Sequence, residues 1–227
     1  MSEEQAPAET KTKERIKLPK QSTGLPFLDQ ILGGGFPTKS IVCFLTDPTS
    51  GAEMFLYQFS STRKTYYLTT VRRPEDIIRV MKDLNLDSRN IKFMSETEAK
   101  YMPGKCFANI NADPQPGVNV VVDSFSFHLK ESPHPEKIRK LLDVIRDVTI
   151  NKDAITILSI YKSTHPKELE NMILNTADVI LDVESHSSGE KHETIMSIPK
   201  IHGMSPIGKI RVTFGEKIKI DTAREIA

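Results

Sequence analysis

Ser40-Ile41-Val42-Cys43-Phe44-Leu45 runs into Thr46-Asp47-Pro48-Thr49-Ser50-Gly51-Ala52-Glu53, and then into Met54-Phe55-Leu56-Tyr57-Gln58-Phe59. The first run is almost continuously apolar and reads as a buried strand. The last reads as the start of a helix. Strand, tight loop and helix in this order form the setting of the phosphate-binding loop G-x-x-x-x-G-K-[ST], in which backbone N–H groups and the lysine cradle phosphates. Only the second glycine, Gly51, is present here. Ala52 stands at the lysine position, and Glu53 stands where a hydroxyl would hold magnesium. The segment predicts the framework of such a site with its chemistry removed.

Outward from this stretch, strand-like and helix-like segments alternate. Thr65 to Thr70, Ile91 to Met94, Val118 to Asp123, Ala154 to Ile160 and Asp178 to Val183 read as strands. Pro74 opens a helix with acids in its first turn, where they suit the dipole. Ile77, Ile78, Met81 and Leu84 fall on one face of that helix. Pro135 to Val148 is a second helix, with Ile138, Leu141, Leu142, Ile145 and Val148 on its apolar face, and Pro166 to Leu174 is a third. Asn109 to Gly117, with Pro114 and Pro116, reads as a loop. Continuous apolar strands separated by amphipathic helices imply a parallel sheet covered on both faces. From Glu193 the pattern alternates, with turns at Ser187-Ser188-Gly189, His202-Gly203 and Gly215-Glu216, which predicts antiparallel strands at the C-terminal edge. Tyr66 and Tyr67 are expected to divide between the core and the edge of their strand.

The 227 residues and 38% hydrophobic content suit one sizeable domain. Residues 1–20 offer almost nothing to bury and predict a flexible tail, leaving residues 21–227 as the domain. The 31 basic and 30 acidic residues nearly cancel, so no global field favours nucleic acid or a membrane surface. Cys43 and Cys106 lie in apolar contexts and read as free buried thiols of a reducing compartment. No apolar run reaches the length of a bilayer span and the N-terminus has no hydrophobic signal core, so a cytoplasmic location is expected. The six histidines show no metal-ligand spacing, and no metal site is predicted.

With these elements placed, Ser22-Thr23-Gly24-Leu25-Pro26-Phe27-Leu28-Asp29-Gln30-Ile31-Leu32-Gly33-Gly34-Gly35-Phe36-Pro37 resembles a segment of known proteins. It is similar to the S-T-G-I-P-G-L-D-x-L-L-G-G-G-I-P lead-in of the RecA-superfamily ATPases of the KaiC/RadA/Rad55-like group. The likeness runs from about Ser22 to Ile220. It implies a three-layer RecA-like P-loop NTPase fold, a mostly parallel sheet with helices on both faces. It also implies a nucleotide site at Thr46, Asp47, Pro48, Thr49, Ser50, Gly51, Ala52, Glu53 and Asp123. Asp123 matches the Walker B aspartate. Lys200-Ile201-His202-Gly203 lies where relatives carry K-x-R-G, a pair that reaches a neighbouring subunit's nucleotide, so Lys200 and His202 are implied interface residues. Relatives place one or two catalytic glutamates after the second core strand; Val71 and Arg72 stand there in this chain.

These departures predict a vestigial site with a degenerate Walker A loop, no catalytic residue and no required cofactor. Losing the lysine alone weakens phosphate binding about ten- to a hundredfold. Weak binding of ATP and magnesium stays open. Ser50-Gly51-Ala52-Glu53 fits the S-x-x-E capping box, with Glu53 as an internal anion at the helix start. Asp123 then accepts hydrogen bonds from nearby Ser or Thr hydroxyls in place of serving magnesium.

Three functional expectations follow. The leading one is a catalytically inactive regulatory or scaffolding partner, bound to another protein, a paralogous RecA-like ATPase or itself as a homo-oligomer. The second is a nucleotide-responsive switch that binds ATP and hydrolyses it slowly or not at all. The third is a recombination or repair accessory that meets DNA through Lys11, Lys13, Arg15, Lys17, Lys20 and the Gly203–Gly208 loop. Near-zero net charge makes nucleic acid the less favoured partner.

Overall fold

The computed structural model describes residues 19–188, 191–213 and 218–221. A short lead-in comes first. Strand β1 (Lys20–Gln21) pairs antiparallel with β2 (Phe36–Pro37), with helix α1 (Pro26–Ile31) between them. The Asp29 carboxylate gathers this segment by accepting from the Ser22 hydroxyl at 2.5 Å and from the Thr23 N–H and hydroxyl, each at 2.7 Å. Gly35 turns the chain back onto β1 at φ +107°, and a Cβ there would stand 2.0 Å from the Gln21 carbonyl oxygen. Lys20 Nζ donates to the Leu32 carbonyl. Lys20, expected at the end of the tail, therefore belongs to this lead-in, while residues 1–18 lie outside the described residues.

The body then alternates between strands and helices, with three helices (residues 96–101, 103–112 and 126–131) that the sequence reading did not predict. In chain order come β3 (Ser40–Thr46), α2 (Glu53–Ser60), β4 (Thr65–Thr69), α3 (Pro74–Asp83), β5 (Ile91–Phe93), α4 (Glu96–Tyr101), α5 (Pro103–Ala112) and β6 (Asn119–Asp123). They are followed by α6 (Ser126–Glu131), α7 (Pro135–Asn151), β7 (Ile155–Tyr161), α8 (Lys167–Thr176), β8 (Val179–Ser188), β9 (Lys191–Ile201), β10 (Ile207–Thr213) and β11 (Lys219–Asp221). The main sheet runs in the order β11-β10-β9-β8-β3-β7-β6-β4-β5. Strands β8, β3, β7, β6, β4 and β5 are parallel. Strands β9, β10 and β11 extend the β8 edge in antiparallel fashion. Among the described residues no helix is long and apolar enough to cross a membrane.

Alternation along the strands divides the core in two. Ile41, Cys43, Val120, Val122, Leu158 and Ile160 pack on one face with Phe107 of α5, Leu142 and Ile145 of α7 and Ile173 of α8. Val42, Phe44, Val121, Ile155 and Ile157 pack on the other with Leu28 of α1, Phe55, Leu56 and Phe59 of α2 and Met81 of α3. Fully burying each such large side chain contributes roughly 1.5–3 kcal/mol, which is why continuous apolar strands end up inside a three-layer stack. Both cysteines are free and buried, and burial pushes the Cys43 thiol up to about 12 and the Cys106 thiol up to about 11.

Three local expectations are corrected. Tyr66 and Tyr67 are both core residues, on opposite faces of β4, because consecutive strand residues point to opposite sides. Ile78 is 41% exposed, since the α3 face turned to the sheet is the narrower stripe of Ile77 and Met81. Residues 109–112 continue α5, whose Cys106, Phe107 and Ile110 are buried; the loop begins at Asp113.

The β8–β9 hairpin is longer than its neighbours. Thr46 pairs with Val183 at the last rung shared with β3, yet β8 continues to Ser188, paired with Lys191.

Candidate functional site

The floor of the site is a row of polar side chains at the C-terminal ends of the parallel strands. Thr46 of β3, Ser159 of β7 and Asp123 of β6 share the strand face that carries Phe44, Ile157 and Val121 toward α2. All three are buried, because the sheet interior surrounds them on every side but one.

Above the floor, residues 47–52 turn tightly from β3 into α2, with Gly51 at φ +67°. Ser50 donates to the Asp47 carbonyl twice, from its N–H at 3.0 Å and its hydroxyl at 2.7 Å. The Ser50 hydroxyl oxygen accepts from the Ala52 N–H at 3.3 Å. Asp47 Oδ2 accepts the Ser185 N–H at 3.1 Å and so ties the loop to β8. Pro48 and Thr49 form the exposed crown of the turn.

Glu53 does not close a capping box. The Ser50 N–H is taken by Asp47, and Glu53 reaches in another direction. Its Oε1 accepts from Arg72 Nη2 at 2.6 Å. Arg72 Nη1 also donates to the Tyr57 hydroxyl at 3.0 Å, and Thr69 Oγ1 braces the backbone by donating to the Arg72 carbonyl at 2.6 Å. A guanidinium within reach outweighs the local cap because a charge-assisted bond is about twice as strong as a neutral one. Asp123 is likewise held by an unexpected donor, the Tyr67 hydroxyl at 2.9 Å, in place of a Ser or Thr.

The electrostatics follow from depth. Burial pushes the Asp123 carboxyl above its ordinary range, with the Tyr67 bond and Arg72 pulling the other way. Burial also pushes Tyr57 up to about 12, against the pull of Arg72. Burial alone would lower Arg72, but Tyr57 and Glu53 outweigh it and hold the guanidinium above its ordinary value. The Glu53 and Arg72 side chains remain 30% and 42% exposed, whereas Thr46, Asp123 and Ser159 at the strand ends are buried.

Thr46, Asp47, Pro48, Ser50, Ala52, Glu53, Arg72, Asp123, Ser159 and Tyr161 line one cleft, with about 40 Å³ of open space. That holds one or two waters, whereas pockets for drug-sized ligands run to roughly 300–1,000 Å³. Thr46, Asp47, Pro48, Ser50, Ala52, Glu53 and Asp123 are thus brought together, while Thr49, Gly51, Lys200 and His202 do not line the cleft. Lys200 pairs with Ile180, three residues before the Thr46 level on β8, and its Nζ donates to the Leu174 and Asn175 carbonyls at the end of α8. His202 is exposed in the following turn, with its N–H on the Asp178 carbonyl. Among the described residues no group of three or more His, Cys, Asp or Glu is placed to hold a metal ion.

Tyr57, Tyr67, Ser159, Tyr161 and Ser185 were not foreseen. The available signal was complementary charge, an acid at Glu53 and a base at Arg72.

A family model matches residues 20–227 of the chain. The chain belongs to DUF7125, a family of unknown function. No curated protein sequence matches it. Among solved structures, the KaiC-like protein PH0186 from Pyrococcus horikoshii OT3 superposes with a TM-score of 0.72 at 18% identity, covering 90% of this chain and 99% of that one. The flagellar accessory protein FlaH from Methanocaldococcus jannaschii gives a TM-score of 0.70 at 14% identity, covering 87% and 96%. This DUF7125 chain therefore has the RecA-like α/β fold of those proteins, with a mostly parallel sheet and antiparallel strands at one edge.

Proposed function

We propose that this chain is a catalytically inactive RecA/KaiC-like protein that acts as a regulatory or scaffolding partner through protein–protein contact. The observation that carries this reading is the Arg72–Glu53 ion pair across the mouth of the cleft, 2.6 Å between Nη2 and Oε1. The Walker A loop is read as degenerate: Ala52 cannot neutralise phosphates, and Glu53 sets a carboxylate where a metal-binding hydroxyl would stand. No general base follows β4, where Val71 and Arg72 stand. A cleft of about 40 Å³ supports a closed site better than an occupied one. Surfaces, not turnover, are then what the protein offers.

Calorimetric titration of ATP with magnesium into the full chain tests this, with Asp123→Ala as control. No heat up to millimolar ATP is expected. Saturable binding that disappears in Asp123→Ala would overturn the reading in favour of a nucleotide switch.

A further inference from the structure

At the opposite end of the sheet from the cleft, Lys64, Arg89, Asn90, Ile91, Lys92 and Gln115 line a groove with about 470 Å³ of open space. It lies where β4 and β5 begin, beside the loop that leads from α5 to β6. Two of its three cations already grip carboxylates. Arg89 donates to both oxygens of Asp87, at 3.0 Å from Nε and 2.7 Å from Nη2. Lys64 Nζ donates to both oxygens of Asp113, at 3.1 and 2.9 Å. Lys92 is exposed and meets no carboxylate among the described residues. Its ammonium group is not left to wander, however. It lies 5.6 Å from the centroid of the Tyr66 ring, with Lys64 Nζ 5.3 Å from the same centroid. That ring is buried in the core, so the cation–π contact ties Lys92 to a fixed point.

We propose that this groove is the surface on which the chain docks its partner, and that the partner offers a protein segment with acidic side chains, one of which answers Lys92. The balance of charge selects this chemistry. Three cations against Asp87 and Asp113 leave one positive charge to spare, which suits a carboxylate and falls short of the dense phosphates of a nucleic acid backbone. A head group already placed loses little freedom when the partner arrives. The side-chain amides of Asn90 and Gln115 make no hydrogen bond with any described residue. Each supplies donors and an acceptor of the kind a peptide backbone needs. The inference rests on the reading of this chain as a protein-binding partner and gives that reading a place and a chemistry.

Fluorescence anisotropy of a short labelled peptide of alternating glutamate and serine, titrated with the full chain at low salt, is the test. Saturable binding is expected, and it should fade as salt is added. Lys92→Glu should weaken it about three- to tenfold, the range for reversing one exposed charge pair, and Lys92→Gln should weaken it less. Lys137→Glu makes the same change in net charge on the exposed side of α7, away from the groove, and should leave binding unchanged. Both lysines are exposed, and far-UV circular dichroism checks that each variant folds. An oligothymidylate of matching length is the second probe and should bind more weakly than the peptide. The inference is overturned if the peptide does not bind, or if Lys137→Glu weakens it as much as Lys92→Glu does. Tighter binding of the oligothymidylate, lost in Lys92→Glu, would also overturn it and make the groove a nucleic-acid surface. A silent peptide beside silent ATP sinks this inference alone. ATP binding that depends on Asp123 sinks the functional reading, and the peptide titration still decides the groove.

Discussion

The lead-in segment and the loop before α2 lie close in sequence and use their polar residues in opposite ways. In the lead-in, Asp29 is surrounded by donors from Ser22 and Thr23, and Gly35 packs directly onto the Gln21 backbone. Its polar groups hold the fold and nothing else. In the cleft, Asp123 is buried at the end of β6 and accepts from the Tyr67 hydroxyl, beside the buried Thr46 and Ser159. Those groups are arranged around a space. The residues that secure the lead-in are therefore not the ones that line the cleft.

The contrast can be broken most sharply at Gly35. Gly35→Ala sets a Cβ 2.0 Å from the Gln21 carbonyl oxygen at φ +107°. A loss of about 3 kcal/mol or outright failure to fold is expected in urea denaturation. Next comes Asp29→Asn, which leaves a donor facing donors and should cost about 2 kcal/mol.

The same chemical change in the cleft should have the opposite sign. Asp123→Asn keeps an acceptor for Tyr67 and removes a carboxylate whose ionised form is penalised by burial, so stability should rise by about 1 kcal/mol at pH 7. The folded-state pKa of Asp123 is raised above its ordinary 3.8. Wild type therefore carries the whole penalty above that raised pKa and sheds it as pH falls toward 3.8. The advantage of the asparagine variant should fade over that window, and a loss of stability at pH 7 would contradict the account. The smallest effect belongs to the ion pair. A double-mutant cycle of Glu53→Gln and Arg72→Gln should return a coupling of about 0.5–1 kcal/mol, because both side chains are partly exposed. It should shrink with added salt.

The fold was legible in the sequence because its determinants are local. Strands such as Val120-Val121-Val122 announce burial on two faces, and the glycine pattern from Ser22 to Pro37 specifies one turn geometry. Helix α5 was not foreseen at all: Pro114 and Pro116 pulled the expected loop back to Asn109, while Cys106, Phe107 and Ile110 are buried by the helix. The strand, loop and helix that frame the cleft were legible as well, but the hydrogen bonds within it were not. Ser50 and Glu53 satisfy a capping pattern within four residues, and nothing local says that an arginine 19 residues later will claim the glutamate. Likewise Tyr67 meets Asp123 only because β4 and β6 are neighbours in the sheet, with Thr69 level with Asp123. Contacts made across strands depend on sheet order, which hydrophobic periodicity does not carry.

The length of the β8–β9 hairpin bears on how anything large could reach this part of the molecule. From Val183 to Ser188 the strand runs five residues past its last rung with β3, or about 17 Å at the usual rise. The ribbon stands as a one-sided parapet beside the Asp47–Ser185 tether. That flank of the loop is lined by the ribbon, while on the side reached from β4 Val71 is 57% exposed next to Arg72.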